Sequence, residues 1–125
     1  MNRRPYMRHD IFSDKSRAFG IRIVKLANML KQQGEHIMSK QIIRSATSIG
    51  ANIRESIRAQ SSADFISKRE IALKEAEETA YWLELLVETG YITDVQFNSL
   101  YDDVEELIKL LVSSVVTIKN KTKSC

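Results

Sequence analysis

The sequence predicts an all-α protein folded as an antiparallel up-down-up-down four-helix bundle. Three observations point to it. Apolar residues recur at spacings of three and four along almost the whole chain, and no window sustains the alternation of a strand. Strong breakers are scarce, with one Pro and four Gly in 125 residues. Three short polar connections separate the periodic runs, and short connections favour antiparallel neighbours.

A first helix is expected over about residues 13–33, with Phe19, Ile23, Leu26, Ala27 and Leu30 as its buried stripe. Gly34 follows it as a residue suited to the left-handed conformation that ends helices. A second helix is expected over about residues 39–60, with Ser39 as its cap and Ile42, Ala46, Ile49, Ile53 and Ile57 as its stripe. The polar segment AQSSAD then interrupts the pattern, although it could also continue as a bent helix. A third helix is expected over about residues 63–89, with Phe65, Ala72, Ala76, Ala80, Leu83 and Val87 on one side and Gly90 at its end. Thr93 followed by Gln96 is a capping-box pattern. It starts a fourth helix over about residues 94–119, striped by Phe97, Tyr101, Val104, Leu107, Leu111, Val115 and Ile118. The tail KNKTKSC is polar and basic, as a fraying end would be. The whole chain, residues 1–125, reads as one domain.

Hydrophobic residues make up 43% and charged residues 28%, an ordinary globular mixture rather than a disordered one. The single cysteine, Cys125, has no partner for an internal disulfide. A lone cysteine and an N-terminus without a signal-length apolar run suit a cytoplasmic protein. No segment is apolar enough to suggest a membrane span or membrane partner. Charge is segregated. Residues 1–60 carry 12 Lys/Arg and 4 Asp/Glu, whereas residues 61–125 carry 7 and 12. A basic and an acidic half can attract one another within a bundle or between subunits, and the basic half can attract phosphate.

The third helix is apolar on more than one face, since Tyr81, Trp82, Leu83, Leu85, Leu86 and Val87 nearly encircle it. The fourth places Leu110, Val112 and Val116 outside its main stripe. A helix in a lone small bundle needs a single apolar stripe. The surplus predicts a second buried surface, most economically another copy of the chain.

Chemistry finds little footing. A di-metal centre in a bundle needs Glu-x-x-His pairs on two helices. Glu75 and Glu78 have the spacing, but no His follows. His9 and His36 lie outside the helix interiors. Ser45 and Ser48 have no His within a turn, and the four glycines form no phosphate loop. No metal or cofactor is expected, and the reading is non-enzymatic. A carboxylate enzyme using Glu55, Glu75 and Glu78 is the least favoured alternative.

The stretch RSATSIGANIRES, residues 44–56, carries two further readings. Arg44, Ser48, Asn52 and Glu55 share a helix face, as do Glu75 and Glu78 on the next helix. If the faces meet, they form a structural polar seam in which Arg44 or Asn52 satisfies Glu78. The small residues Ala46, Ser48, Gly50 and Ala51 would let the helices approach closely. The basic residues give the other reading. Arg3, Arg4 and Arg8 precede the first helix, Arg17, Arg22 and Lys25 lie on it, and Arg54 and Arg58 end the second. Together they are candidate contacts for RNA or DNA phosphate, without sequence readout.

RSATSIGANIRES also resembles the second-helix signature of the bacterial 23S rRNA intervening sequence proteins. Ser48, Asn52, Ile53 and Glu55 match that signature as they stand, and Ser56 replaces a frequent Gly. IALKEAEETAYWLELL, residues 71–86, resembles the family's third helix. The resemblance covers about residues 12–118. It implies a four-helix bundle that assembles as a homopentamer. A related branch, the accessory variability proteins of diversity-generating retroelements, binds nucleic acid and works with a reverse transcriptase. The resemblance supplies no catalytic residues. The resulting expectation is an oligomeric bundle that binds nucleic acid nonspecifically or acts as an adaptor. The alternative is a protein-binding oligomer without nucleic-acid binding.

Overall fold

The computed structural model describes residues 10–123. Four helices follow one another: α1 Ile11–Gln32, α2 Ile37–Ile57, α3 Ser62–Glu88 and α4 Asp94–Lys123. No strand occurs among the described residues. α1 packs on α2, α2 on α3 and α3 on α4, and a lighter α1–α4 contact closes the square. Among the described residues the backbones of diagonal helices stay apart, so sequence neighbours are space neighbours and the bundle runs antiparallel.

The helix ends show why the breaks fall where they do. Asp10 caps α1, its carboxylate accepting from the Phe12 N–H at 2.8 Å. Gly34 ends it at φ 88°, and the Glu35 N–H returns to the Leu30 carbonyl at 2.9 Å. Gly90 repeats this at the end of α3, with φ 82° and the Tyr91 N–H on the Leu86 carbonyl at 2.9 Å. Both are six-to-one closures that need a left-handed residue, which glycine supplies without a Cβ clash.

The second helix starts earlier than expected, and Ser39 does not cap it. Glu35 does, its carboxylate accepting from the N–H groups of Met38 and Ser39. The closure at Gly34 already fixes Glu35 beside the new helix, and its charge favours that positive end. Ser39 is left fully buried inside the helix, and its hydroxyl has no partner.

α2 ends at Ile57 rather than near residue 60. AQSSAD is a true break, because Ser61 caps α3 by accepting from the Asp64 N–H at 3.1 Å. The expected capping box opens α4. The Thr93 N–H donates to the Gln96 side chain at 2.8 Å, and the Gln96 N–H to the Thr93 hydroxyl at 3.1 Å. The last helix runs on to Lys123, past the expected end at about residue 119.

The core is built mainly from the expected stripes, joined by Leu86 and Leu100 from outside them, while Ile57, Phe65, Val87, Phe97, Tyr101 and Ile118 are only half-buried. Phe19, Ile23, Leu26 and Leu30 meet Ile42, Ala46, Ile49 and Ile53 of α2, Ala72, Ala76, Ala80, Leu83 and Leu86 of α3, and Leu100, Val104, Leu107 and Leu111 of α4. Each large side chain buried here contributes about 1.5–3 kcal/mol. On α3 the alanines repeat every fourth residue, so one ridge of that helix is low and its neighbours can come close.

The apolar surplus divides. Leu86 joins the core, and Trp82, Leu85, Val87 and Leu110 are half-buried. Tyr81, Val112 and Val116 remain 52%, 43% and 50% exposed. Further apolar residues surface on α1, where Ile21 is 50% and Val24 36% exposed. No helix is long and apolar enough to cross a membrane among the described residues.

Candidate functional site

Three constellations stand out: a surface ion cluster between α2 and α3, a buried arginine, and a basic groove between α1 and α2. Among the described residues no group of three or more His, Cys, Asp or Glu is placed to hold a metal ion.

Arg44 does meet both glutamates of α3. Its guanidinium donates to Glu75 at 3.3 Å and to Glu78. Glu78 also accepts from the Trp82 indole N–H at 3.0 Å. That indole hydrogen bond first, and Arg44 second, hold the Glu78 carboxyl below its ordinary range. The cluster is not a buried seam, because the Arg44 side chain is 49% exposed. Asn52 does not reach Glu78. Its amide folds back onto the Ser48 carbonyl and hydroxyl at 2.9 and 3.1 Å. Glu55 pairs with Lys68 at 3.0 Å. The four-residue face therefore splits into three local arrangements, and its polar groups have water as an alternative partner.

This geometry makes a pH-dependent prediction. Because the folded pKa of Glu78 is depressed, its contribution to stability is present above the unfolded carboxylate pKa and is lost as pH falls through the folded value. At neutral pH Arg44→Ala should cost less than about 1 kcal/mol, as half-exposed pairs do. The gap between variant and parent should close below the carboxylate range, and NMR titration should show Glu78 moving back towards its ordinary pKa. A gap that persists in acid would assign the loss to Arg44 packing instead of charge.

The interior polar contacts lie elsewhere. The hydroxyls of Ser45 and Thr79 meet at 2.8 Å across the buried α2–α3 contact. Arg69 is only 4% exposed and touches every helix. Its Nε donates to the Ser56 hydroxyl at 2.7 Å and its Nη1 to the Ser114 hydroxyl at 3.0 Å. Its guanidinium carbon lies 4.2 Å from the Phe12 ring centroid and 4.6 Å from that of Phe65. Burial lowers its pKa and the nearby Asp10 charge opposes the shift, yet an arginine stays charged. Ser56, which stands where the resemblance has a frequent Gly, thus carries one end of this clamp.

Of the small residues of α2, Ala46, Gly50 and Ala51 line the α1 side and not the expected α3 seam. Gly50 faces α1, where a Cβ built on it would lie 3.6 Å from the Ser16 hydroxyl, an ordinary contact. A Cβ on Gly20 of α1 would meet nothing within 4 Å. Each glycine weakens its helix by about 1 kcal/mol relative to alanine. Packing within the subunit requires neither.

Both glycines line an open groove of about 870 Å³ between α1 and α2. Ile21, Val24, Ala46 and Ala51 give it an apolar lining, and Arg17, Lys25, Arg54 and Arg58 give it positive charge, with Asp14 and Glu55 beside them. Half of the expected phosphate contacts converge here. Arg22 is not among them, because it turns to α4 and binds Asp103 at 2.5 Å and the Ser99 hydroxyl at 2.8 Å. Arg3, Arg4 and Arg8 lie outside the described residues. Sequence reasoning missed Arg69 although it sits on the α3 stripe, four residues after Phe65 and three before Ala72. A charge on a buried stripe was the available signal.

Comparison with known proteins places the fold. The family model described as 23S rRNA-intervening sequence protein matches residues 9–113. No curated protein matches the chain significantly. A crystal structure of a protein of unknown function from the S23 ribosomal protein family of Bacteroides thetaiotaomicron is 58% identical. It superimposes with a TM-score of 0.82 over 83% of this chain and 97% of that one. With the four-helix fold, the signature stretch and a family match over most of its length, the chain belongs to the 23S rRNA-intervening sequence protein family.

Proposed function

We propose that this protein is a non-enzymatic assembly module whose working form is a homo-oligomer, with five copies as the stoichiometry that the sequence resemblance implies. The observation that carries the reading is the outward-facing apolar surface. Ile21 and Val24 line a groove on α1, and Val95, Val112 and Val116 are 79%, 43% and 50% exposed on α4. Large exposed apolar surface marks association. Such an assembly would repeat one surface around an axis and present several copies of it to a partner, which multiplies weak contacts. Sedimentation velocity tests it. A single species several times heavier than 14.3 kDa is the expected result, and a species of 14.3 kDa at every concentration would refute it.

A second reading is favoured by the convergence of Arg17, Lys25, Arg54 and Arg58 on one groove. Four cations on one face can neutralise nucleic-acid phosphates regardless of sequence. In that reading a fluorescent RNA is retained at low salt, its affinity falls steeply with added salt, and Arg54→Ala/Arg58→Ala flattens that dependence by about two phosphate contacts. No retention at low salt would remove it.

A further inference from the structure

We propose that the α1/α2 groove is the seat for the outer face of α4 from a second copy of the chain, an inference that rests on the homo-oligomer reading above. The two surfaces match in charge and length.

The α4 face is regular. Val95, Asn98, Asp102, Glu105, Lys109, Val112 and Val116 alternate in steps of three and four, and all are exposed. That spacing puts them on one face of the helix. The face that α4 turns inward is a different one, built from Leu100, Val104, Leu107, Leu111 and Val115. The outer stripe is thus unused by the fold. It is acidic at Asp102 and Glu105, basic at Lys109 and apolar at Val112 and Val116.

The groove carries counterparts for the two acids and the two valines. Arg17, Arg54 and Arg58 oppose the two acids in sign, and Lys25 lies at its other end. Ile21 and Val24 suit the two valines. Asp102 to Val116 spans about 21 Å of helix, and the α1 wall from Ser13 to Lys25 spans about 18 Å, at 1.5 Å per residue. The two glycines also gain a reason. Side chains at Gly20 and Gly50 would fit the isolated subunit but would fill the space a docked helix must enter.

A nucleic acid fits less well. Asp14 and Glu55 in the same lining repel phosphate, and a phosphate track has no use for a floor of glycine, alanine and isoleucine. The groove and the stripe are different patches of one chain, so each copy offers one to each neighbour. Such head-to-tail contacts close into a ring where the rotation between copies permits it.

Charge reversal tests the pairing, read by light scattering with circular dichroism to confirm folding. Asp102→Arg/Glu105→Arg and Arg54→Glu/Arg58→Glu should each keep parental helicity and fall to 14.3 kDa. The chain combining all four substitutions restores opposite charge across the contact and should recover the parental mass. A parental protein of 14.3 kDa would overturn the homo-oligomer itself. A heavy parent whose mass neither reversal changes would leave the assembly standing and overturn this pairing. So would two separate losses without recovery in the combined chain. If Arg54→Glu/Arg58→Glu abolishes RNA retention while the mass stays parental, the groove is a phosphate surface and the pairing falls.

Discussion

Arg69→Ala should be the most damaging single substitution at a polar residue, lowering folding stability by about 3 kcal/mol. Two ring contacts at about 0.5–1 kcal/mol each disappear with the guanidinium. Two hydrogen bonds to buried or half-buried serines go as well, at about 1 kcal/mol each. A cavity opens between Phe12 and Phe65, the rings that now cover the guanidinium. Because no carboxylate among the described residues hydrogen-bonds to Arg69, most of its value lies in packing and hydroxyl contacts. Arg69→Met should therefore recover much of the loss, as apolar replacements of buried ionic groups often do. Arg69→Lys should recover less, since an ammonium cannot stack as a plane between two rings. Guanidinium chloride denaturation at one fixed protein concentration checks all three, a precaution that association requires. A loss below about 1 kcal/mol in Arg69→Ala would show that the clamp does not hold the four helices together.

Ala76→Leu should cost about 1–3 kcal/mol or prevent folding, although leucine is a good helix former and apolar. Ala76 is fully buried at the centre of the Ala72, Ala76, Ala80 ridge, where α3 faces its neighbours. Three extra carbons there must push α2 or α4 away and loosen Leu83, Ile49 and Leu107 with them. Thermal unfolding measures it, with a downward shift of about 4 °C for each kcal/mol lost. An unchanged midpoint would mean that the ridge has slack and that its alanines do not set the helix spacing.

The same change in side-chain size has opposite meanings on two helices, and only one of them was legible in the sequence. The alanine ridge, the isoleucine stripe of α2 and the Thr93–Gln96 box follow from local periodicity and capping chemistry, so the helices and their inward faces could be read directly. Glu35 could not be read as the cap of α2, because its place depends on the chain closure at Gly34. The Arg44–Glu75–Glu78 cluster was legible as a meeting of faces but not as an exposed one. Nothing in helical spacing says how far a guanidinium stands out into water. Gly50 was assigned to the wrong neighbour for a related reason. A glycine has no side chain to mark a direction, and only the packed bundle shows that it faces Ser16 and the α1/α2 groove. The groove itself is a property of two helices side by side, with Gly20 and Gly50 contributed from positions 30 residues apart in sequence.

The claim that this groove is closed by another copy is tested most directly by Gly20→Leu, weighed against the parental protein by light scattering. A leucine there meets open space in the subunit and replaces a poor helix former, so the helix should be as stable or more so. The parental protein should weigh near five times 14.3 kDa, and Gly20→Leu should remain fully helical at 14.3 kDa. A Gly20→Leu protein that keeps the parental mass, or a parental protein of 14.3 kDa, would contradict the account.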